Sequence, residues 1–298
     1  MELVKSDVRN VRRGRYTTPM TPLTFTLVTF GISIAAGVLG SLLGLGGGII
    51  VVPALTLFLH IDIRYAIGAS IVSVIATSSG AASAYVRERL TNLRVAMSLE
   101  VATTTGALSG AYVGGMIGGR WLYIIFGLML AYSAIAMLRK RKELAGQDVP
   151  RDVIADKLKL HDSYFDPALA KEISYRVTHT SLGVVLMYIA GVVSGLLGIG
   201  SGALKVPAMD LAMRLPMKVS TATSNFMIGV TAAASAGVFF SRGDINPFVA
   251  APVAAGVLLG ATAGSLLLGR LKSSVVRGTF IIVLIWISLE MLWKGVRA

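Results

Sequence analysis

Two glycine clusters are the residues of this chain whose spacing best suits chemistry. Segments 36–55 and 190–209 align at an offset of 154 residues, and eleven of their twenty positions are identical. Each segment carries a glycine cluster in apolar sequence, at 44–48 and 198–202, and each cluster is followed by a proline. Glycine adopts backbone conformations that other residues rarely reach, so both clusters predict a broken helix. Paired interruptions in two halves of a chain are typical of a transporter binding site.

A helix that restarts after such a break presents unpaired N–H groups and the positive end of its dipole. These groups suit an anion, and two facing breaks would form a cradle for a small oxyanion. Close packing of helices by small residues is the alternative that the sequence leaves open. The residues predicted to form the cradle are Gly46, Gly47, Gly48, Gly200, Ser201 and Gly202.

Lys205 is the charged residue nearest to either glycine cluster, and the aligned position in the first half is Val51. An ionisable group within a membrane segment predicts a functional role, here attraction of an anion. The alternative is a lysine that reaches the nearby membrane interface. Asp210 is a candidate acidic partner for Lys205 or for a neighbouring arginine. Glu100 fits either an interfacial position or a proton relay.

Small polar residues follow each short apolar segment. Their hydroxyl and amide groups can bind an oxyanion without adding charge, or they can bond to neighbouring helices and backbone. Ser70 and Ser224 are preferred as ligands because they align at the same offset of 154 residues. The substrate-binding residues predicted here are Ser70, Thr223, Ser224 and Asn225, with Thr103, Thr104 and Thr105 as further candidates.

Composition places these residues in a membrane protein, since 54% of the 298 residues are apolar and only 14% are charged. Each half contains four long apolar runs and one run of about eleven residues, which as a helix covers about half of a ~30 Å hydrocarbon core. The sequence therefore predicts an all-α polytopic membrane protein. It would consist of two tandem homologous repeats, with about eight full transmembrane helices and two short re-entrant or broken helices.

Four segments follow from this pattern. They are a cytoplasmic N-terminal segment (1–21), a first membrane repeat (22–138), a cytoplasmic linker (139–179) and a second membrane repeat (180–298). The linker is polar, with nine basic and seven acidic residues, and is expected to be a loop that can include short helices.

Basic residues predict the topology, because they accumulate in cytoplasmic loops. If each half crosses the membrane four times, 20 Lys and Arg residues lie on the side of the linker and seven on the other. If each half crosses five times, the division is 17 to 10. The first arrangement is favoured. It predicts parallel repeats in the cell (inner) membrane, with both termini cytoplasmic.

Several function classes are excluded by the residues present. The chain has no Cys, and its three His are scattered, which argues against thiolate chemistry and a zinc site. The net charge of +13 fits cytoplasmic loops better than nucleic-acid binding. No Lys-Ser or Lys-Thr follows the glycines as in a phosphate-binding loop. We expect no enzyme activity, no cofactor and no nucleic-acid partner.

The glycine motifs resemble those of the TauE/SafE family, also called the sulfite exporter family. The resemblance rests on G-x-G-G-G-x-x-x-x-P at Gly44–Pro53, on its second copy at Gly198–Pro207 with Ser201 as the middle residue, and on T-A-T-S-N at 221–225. It implies export of sulfite or of a small organosulfur anion such as sulfoacetate, driven by an ion gradient.

The function expected is that of a secondary transporter for a small anion, with alternating access around the two broken helices. An anion-selective channel is the first alternative, and a transporter of another small anionic metabolite is the second. The partners expected are the anion, the lipid bilayer and a coupling ion, either a proton or sodium. The formation of a homodimer is left open.

Overall fold

Long helices joined by short loops make up most of the chain that the structure describes. This computed structural model describes residues 21–43, 45–138, 150–166, 170–268 and 273–297. The predicted N-terminal segment 1–21, except for its last residue, and the first part of the predicted linker lie outside these ranges.

The helices and strands follow in chain order. The first half contains α1 (Pro22–Leu43), α2 (Gly48–Pro53), α3 (Ile63–Arg87), α4 (Leu93–Gly114) and α5 (Gly119–Leu138). The linker contains α6 (Val153–Lys157), β1 (Asp162–Asp166) and β2 (Lys171–Tyr175). The second half contains α7 (Thr180–Leu197), α8 (Gly202–Pro207), α9 (Met217–Ser241), α10 (Pro247–Leu268) and α11 (Ser273–Arg297).

Five of the described helices are long and apolar enough to cross a membrane, namely α1, α3, α7, α9 and α10. They confirm the prediction of a helical, multi-pass membrane protein. The count of eight full spans and the assignment of two repeats remain predictions.

The two short apolar runs form short helices. Each of α2 and α8 ends at a proline and continues into one π-helical turn, Ala54–Phe58 or Ala208–Ala212. Proline has no N–H to donate to the preceding turn, and this favours a local change in hydrogen-bond register. Together, each helix and its turn span eleven residues, about half the thickness of a hydrocarbon core.

The helix bounds of the two halves coincide at the offset found in the sequence. The first and last residues of α2, α3 and α4 lie 154 positions before those of α8, α9 and α10. Asn92 and Asn246 precede the aligned helices α4 and α10, and each asparagine Oδ1 accepts a hydrogen bond from a backbone N–H of the first turn. Asparagine at this position is a favoured helix start.

Each half contributes one helix to a close-packed pair with the other half. Glycines of α10 lie, in chain order, against the backbone of α1: Gly256, Gly260 and Gly264 against Phe30, Ile34 and Val38. Glycines of α4 lie in the same way against α7: Gly106, Gly110 and Gly114 against Tyr188, Val192 and Leu196. Both pairs are therefore parallel, and small residues allow the backbones to approach closely.

The aligned helices α3 and α9 run antiparallel. Asn92, just beyond the end of α3, donates its backbone N–H to Thr223 Oγ1 near the start of α9, at 3.1 Å. At the other end, Gly68 near the start of α3 lies against the backbone of Asp244, which follows α9. Equivalent helices of the two halves thus point in opposite directions. The prediction of parallel repeats is wrong.

The linker and the C-terminal end of α11 lie at opposite ends of the helix bundle. Asn92 Nδ2 donates to Tyr175 Oη of the linker at 2.9 Å, which defines the linker end. At the opposite end, Arg242 donates to Ala111 O at 2.6 Å, and Lys294 donates to the carbonyl of Thr56. The prediction that the linker shares one membrane side with Arg242 and the C-terminus is therefore wrong. Charge counting misled it because the long linker dominates the tally of either arrangement.

The described part of the linker is more ordered than the predicted loop. Strands β1 and β2 pair antiparallel, with Asp162 opposite Tyr175 and Asp166 opposite Lys171. Asp152 caps α6 by accepting from the N–H groups of Ile154 and Ala155, and its second oxygen accepts from the Thr180 N–H of α7 at 2.6 Å. The linker is therefore fixed to the start of the second half.

Candidate functional site

The two predicted helix breaks meet near the middle of helices α3 and α9. A Cβ added to Gly46 would lie 2.9 Å from Ile228 Cδ1 and 3.3 Å from Val74 Cγ2. A Cβ added to Gly200 would lie 2.6 Å from Val74 Cγ1 and 3.3 Å from Ile228 Cβ. Val74 and Ile228 are themselves 154 residues apart, so each break contacts the same pair of aligned side chains.

The backbone at both breaks adopts conformations that favour glycine. Gly46 and Gly200 have φ values of +71° and +79°, and Gly198 ends α7 at +63°. Ser201 is also left-handed, at +57°, although it carries a side chain. Such a conformation costs an L-residue about 1–2 kcal/mol. The Ser201 hydroxyl donates to the Gly200 carbonyl at 2.7 Å.

Ser70 joins the first half to the second break. Its side chain is fully buried, and Oγ donates to the carbonyl of Gly198 at 2.8 Å. Gly48 lies directly against this hydroxyl, with no room for a side chain. The structure thus brings Ser70, Gly48 and the second break together. The hydroxyl bonds to backbone, as in the alternative that the sequence left open, and its role as an anion ligand remains a prediction.

Thr77, one of the small polar residues that follow the first short segment, contacts the first break but is not among the predicted substrate-binding residues. Its Oγ1 accepts a hydrogen bond from the Gly47 N–H at 3.0 Å and donates to Ser73 O at 2.8 Å. One N–H group of the predicted cradle is therefore already satisfied by the protein. The residue aligned with Thr77 is Thr231, which has a different set of partners.

Lys205 is completely buried one turn beyond the second break. Its Nζ donates to Thr231 Oγ1 at 2.7 Å and lies 3.5 Å from Glu100 Oε2. This position does not fit a lysine that reaches the membrane interface. The acidic partner is Glu100 rather than the predicted Asp210, because α4 packs beside α9 and brings Glu100 toward the break.

Glu100 is surrounded by donors. Thr231 and Thr104 donate to its Oε1 at 2.6 and 3.1 Å, and Thr103 donates to Oε2 at 3.1 Å. Its side chain is 11% exposed, so the carboxylate is shielded by the protein and not open to the surroundings. We call Lys205, Glu100, Thr231, Thr103 and Thr104 the Lys205 cluster.

The Lys205 cluster has no charged counterpart at the aligned positions. The positions aligned with Lys205, Glu100 and Thr231 are Val51, Ala254 and Thr77. Thr231 therefore aligns with another threonine, whereas both charged residues align with apolar residues. The backbone around the two breaks is therefore similar, and the charged pair, with Glu100 from the first half and Lys205 from the second, lies beside the second break.

The predicted ligands on α9 are buried but have contacts elsewhere. Thr223 accepts from Asn92 at the linker end, and Asn225 Nδ2 donates to the Ser41 carbonyl of α1 at 2.8 Å. Tyr85 donates to the same carbonyl at 3.0 Å. Ser224 is also buried. These contacts join α9 to the loop before α4 and to α1, and they do not involve the Lys205 cluster.

A cavity of about 540 Å³ lies at the linker end, away from the breaks. Residues of the loop between α3 and α4 and of the β hairpin line it, among them Arg89, Asn92, Arg94 and Glu172. None of the predicted substrate-binding residues lines this cavity. The helix breaks and this cavity are therefore separate features.

Known membrane proteins resemble this chain over most of its length. The family described as sulfite exporter TauE/SafE matches residues 29–291. A probable membrane transporter protein of Bacillus subtilis (strain 168), YunE, is 27% identical over 272 residues, or 89% of this chain and 96% of that protein. A probable membrane transporter protein of Xylella fastidiosa (strain Temecula1) is 26% identical over 90% of this chain and 95% of its own length. No solved structure matches the chain significantly.

Proposed function

The chain belongs to the sulfite exporter TauE/SafE family, and we propose that it is a secondary transporter that exports a small anion. Sulfite or an organosulfonate is the substrate that the family description favours. The B. subtilis and X. fastidiosa relatives are named as probable membrane transporters, which supports transport without identifying the substrate.

The observation that carries this proposal is the fully buried Lys205 beside the second helix break. A buried ammonium in a membrane protein is costly unless it is paired, and it marks the path of an ion or substrate. Lys205 has a loosely placed acidic partner at 3.5 Å, longer than the 2.7–2.9 Å usual for a charge-assisted hydrogen bond. We assign Lys205 as the charge that attracts the anion.

Alternating access is the transport mechanism proposed. Two repeats of opposite orientation, with interrupted helices that meet near the midplane, are a recurring transporter design. The antiparallel α3 and α9, the shared helix bounds and the facing Gly46 and Gly200 support it. In this state Val74 and Ile228 fill the space between the breaks, and we propose that rocking of the halves opens this contact first toward one side and then toward the other.

The orientation proposed has the linker in the cytoplasm and the C-terminal end of α11 outside. The arrangement with five crossings in each half also puts the linker and the C-terminus on opposite sides, and by sequence it divides the basic residues 17 to 10 in favour of the linker side. Basic residues are enriched in cytoplasmic loops, so the linker side is assigned to the cytoplasm. The cell membrane is the location proposed.

Counterflow of labelled sulfite in proteoliposomes, with sulfate and methanesulfonate as competitors, tests this function. We expect saturable exchange in the unmodified protein. Lys205→Met should raise the half-saturation concentration at least tenfold, because it removes the attracting charge. Lys171→Met, which removes an exposed lysine of the β hairpin, is the matched control and should leave exchange unchanged. Absence of exchange for sulfite, sulfate and methanesulfonate would contradict the substrate class, and ohmic current in planar bilayers would favour a channel.

A further inference from the structure

Glu100 is positioned to exchange a proton whenever an anion occupies Lys205. We propose that one proton binds to Glu100 for each monoanion that binds to Lys205, so that the two cross the membrane together without net charge movement. Export then runs when the outward gradient of the anion exceeds the opposing pH gradient, and an acidic exterior drives the same exchange inward. This inference rests on the proposed function, because it concerns the same Lys205 cluster. It adds the identity of the coupling ion and the residue that carries it.

The geometry shows that the Lys205–Glu100 contact can be separated. The ammonium lies closer to Thr231 Oγ1, at 2.7 Å, than to Glu100 Oε2, at 3.5 Å. Glu100 has three hydroxyl partners besides Lys205, on Thr103, Thr104 and Thr231. The carboxyl group therefore keeps its position when the ammonium turns toward another anion. A hydroxyl can donate to the carboxylate and can accept from the protonated acid, so these partners suit both forms.

Lys205 is the charged group that faces Glu100 from the helices packed against α4. Helix α7 contains no Asp, Glu, Lys, Arg or His, and its single titratable side chain is Tyr188. On α9 the single charged residue, Lys218, pairs with Asp166 at the linker end. On α4 itself, Arg94 donates to Lys159 O of the linker. In the described part of the chain, Lys205 is thus the cation that contacts the Glu100 carboxylate.

Charge balance then links the anion to the proton. With no anion bound, one ammonium and one carboxylate make the cluster neutral. An anion at Lys205 would leave one uncompensated negative charge in a buried site, which costs several kcal/mol. Protonation of Glu100 restores neutrality. When the anion leaves, Glu100 releases the proton and pairs again with Lys205. The site is neutral in both states, and one proton moves with each monoanion.

A proton fits this site better than sodium, the other coupling ion considered. A metal cation would have to bind beside the Lys205 ammonium, and the two positive charges would repel each other in a site of low dielectric. A proton needs one carboxylate oxygen and no further ligands. Because Val51 and Ala254 replace both charges at the aligned positions, the structure supplies one such proton site.

The test is a comparison of two transport modes in proteoliposomes with labelled sulfite. Counterflow at equal pH needs no net proton movement, whereas accumulation against a pH gradient does. Glu100→Gln resembles the protonated residue. We expect it to lose accumulation driven by an acidic exterior, while the counterflow that remains no longer responds to pH. Glu100→Asp retains a titratable group and should keep both modes. Glu290→Gln on α11 removes an acid outside the cluster and serves as the matched control.

The outcomes separate this inference from the proposed function. No counterflow in the unmodified protein would contradict transport itself. If Glu100→Gln and the unmodified protein accumulate sulfite equally, the proposed role of Glu100 is overturned. Accumulation that responds to membrane potential but not to pH would overturn it as well. Loss of both modes in a Glu100→Gln protein that stays monodisperse with an unchanged unfolding temperature would show that Glu100 only positions Lys205. Free diffusion of protonated sulfite affects all variants equally and cancels in the comparison.

Discussion

Asp166 at the end of β1 and Lys218 near the start of α9 form a buried ion pair, with 2.8 Å between Oδ1 and Nζ. The two side chains are 5% and 1% exposed. The pair joins the linker to the second half, while Asn92 joins it to the first through Leu160 and Tyr175. The linker therefore holds both halves together at one end of the bundle.

Removing one member of this pair should destabilise the protein strongly. Asp166→Asn leaves the Lys218 ammonium buried without its full counter-charge, and such changes cost about 3–5 kcal/mol. The unfolding temperature of the purified protein, followed by intrinsic fluorescence, should fall accordingly. The double variant Asp166→Leu/Lys218→Met should recover most of the loss, since it leaves no unpaired charge. An unfolding temperature for Asp166→Asn equal to that of the unmodified protein would show that the pair does not hold the linker.

The glycine break at Gly200 should not tolerate a side chain. Gly200→Ala combines a φ of +79° with a Cβ only 2.6 Å from Val74 Cγ1, so both strain and a clash oppose it. We expect at least 2 kcal/mol of destabilisation and loss of sulfite counterflow. Adding Val74→Ala removes the clash and should recover part of the stability, but not the part due to strain. Gly237→Ala, on α9 with open space around it, is the control and should be neutral or stabilising.

The apolar runs and the spacing of the two halves predicted where the helices lie in the sequence, but not in which direction each helix runs. The apolar runs and the offset of 154 residues anticipated α1 to α5 and α7 to α11 closely, because glycines, prolines and asparagines mark their ends. Orientation depends on which helices touch. The contact of Asn92 with Thr223 joins residues 131 positions apart, and no local pattern reports it. The β hairpin was missed because its strands are short and polar, and contacts with α9 and the loop before α4 stabilise it.

The sequence predicted the two helix breaks of the site well, but it did not predict which side chains contact one another there. The glycine clusters identified both breaks because left-handed backbone has a clear sequence signature. Lys205 was identified because a charge within an apolar run is unusual. Its pairing with Glu100 rather than Asp210 depends on the packing of α4 beside α9. Thr77 and Thr231 are threonines at the same offset as the glycines, so the alignment of the two halves could have ranked them with Ser70 and Ser224.

Stability should depend on the ionisation of Asp152 at low pH. Partial burial opposes its ionisation, but hydrogen bonds from Thr180, Ala155 and Ile154 outweigh it and hold the pKa below the ordinary value of 3.8. A lowered pKa means that the ionised group stabilises the folded state above its unfolded pKa, and that this contribution is lost as pH falls through the folded pKa. Asp152→Ala should cost about 1–2 kcal/mol at pH 6.

The pH series distinguishes this cap from a general effect of charge. The difference in unfolding temperature between Asp152→Ala and the unmodified protein should shrink as pH falls from 6 to 3, because the unmodified carboxyl then becomes protonated. Glu88→Ala removes an exposed acid at the same end of the bundle and should show little difference at any pH. If the difference in unfolding temperature between Asp152→Ala and the unmodified protein stays constant down to pH 3, a role for the ionised carboxylate is contradicted.

The opposite placement of the linker and the α9–α10 loop can be tested with single cysteines. The chain has no Cys, so each introduced thiol is the sole target of a membrane-impermeant maleimide. Lys171→Cys on the β hairpin and Ser241→Cys at the end of α9 are both exposed positions at opposite ends of the bundle. In intact cells we expect Ser241→Cys to react and Lys171→Cys to be protected until the membrane is permeabilised. Val296→Cys, 68% exposed near the end of α11, should behave like Ser241→Cys.

Two other labelling patterns have different meanings. If Lys171→Cys reacts in intact cells and Ser241→Cys is protected, the antiparallel arrangement holds and only the orientation in the membrane is reversed. Equal labelling of Lys171→Cys and Ser241→Cys in intact cells would contradict the antiparallel arrangement of α3 and α9.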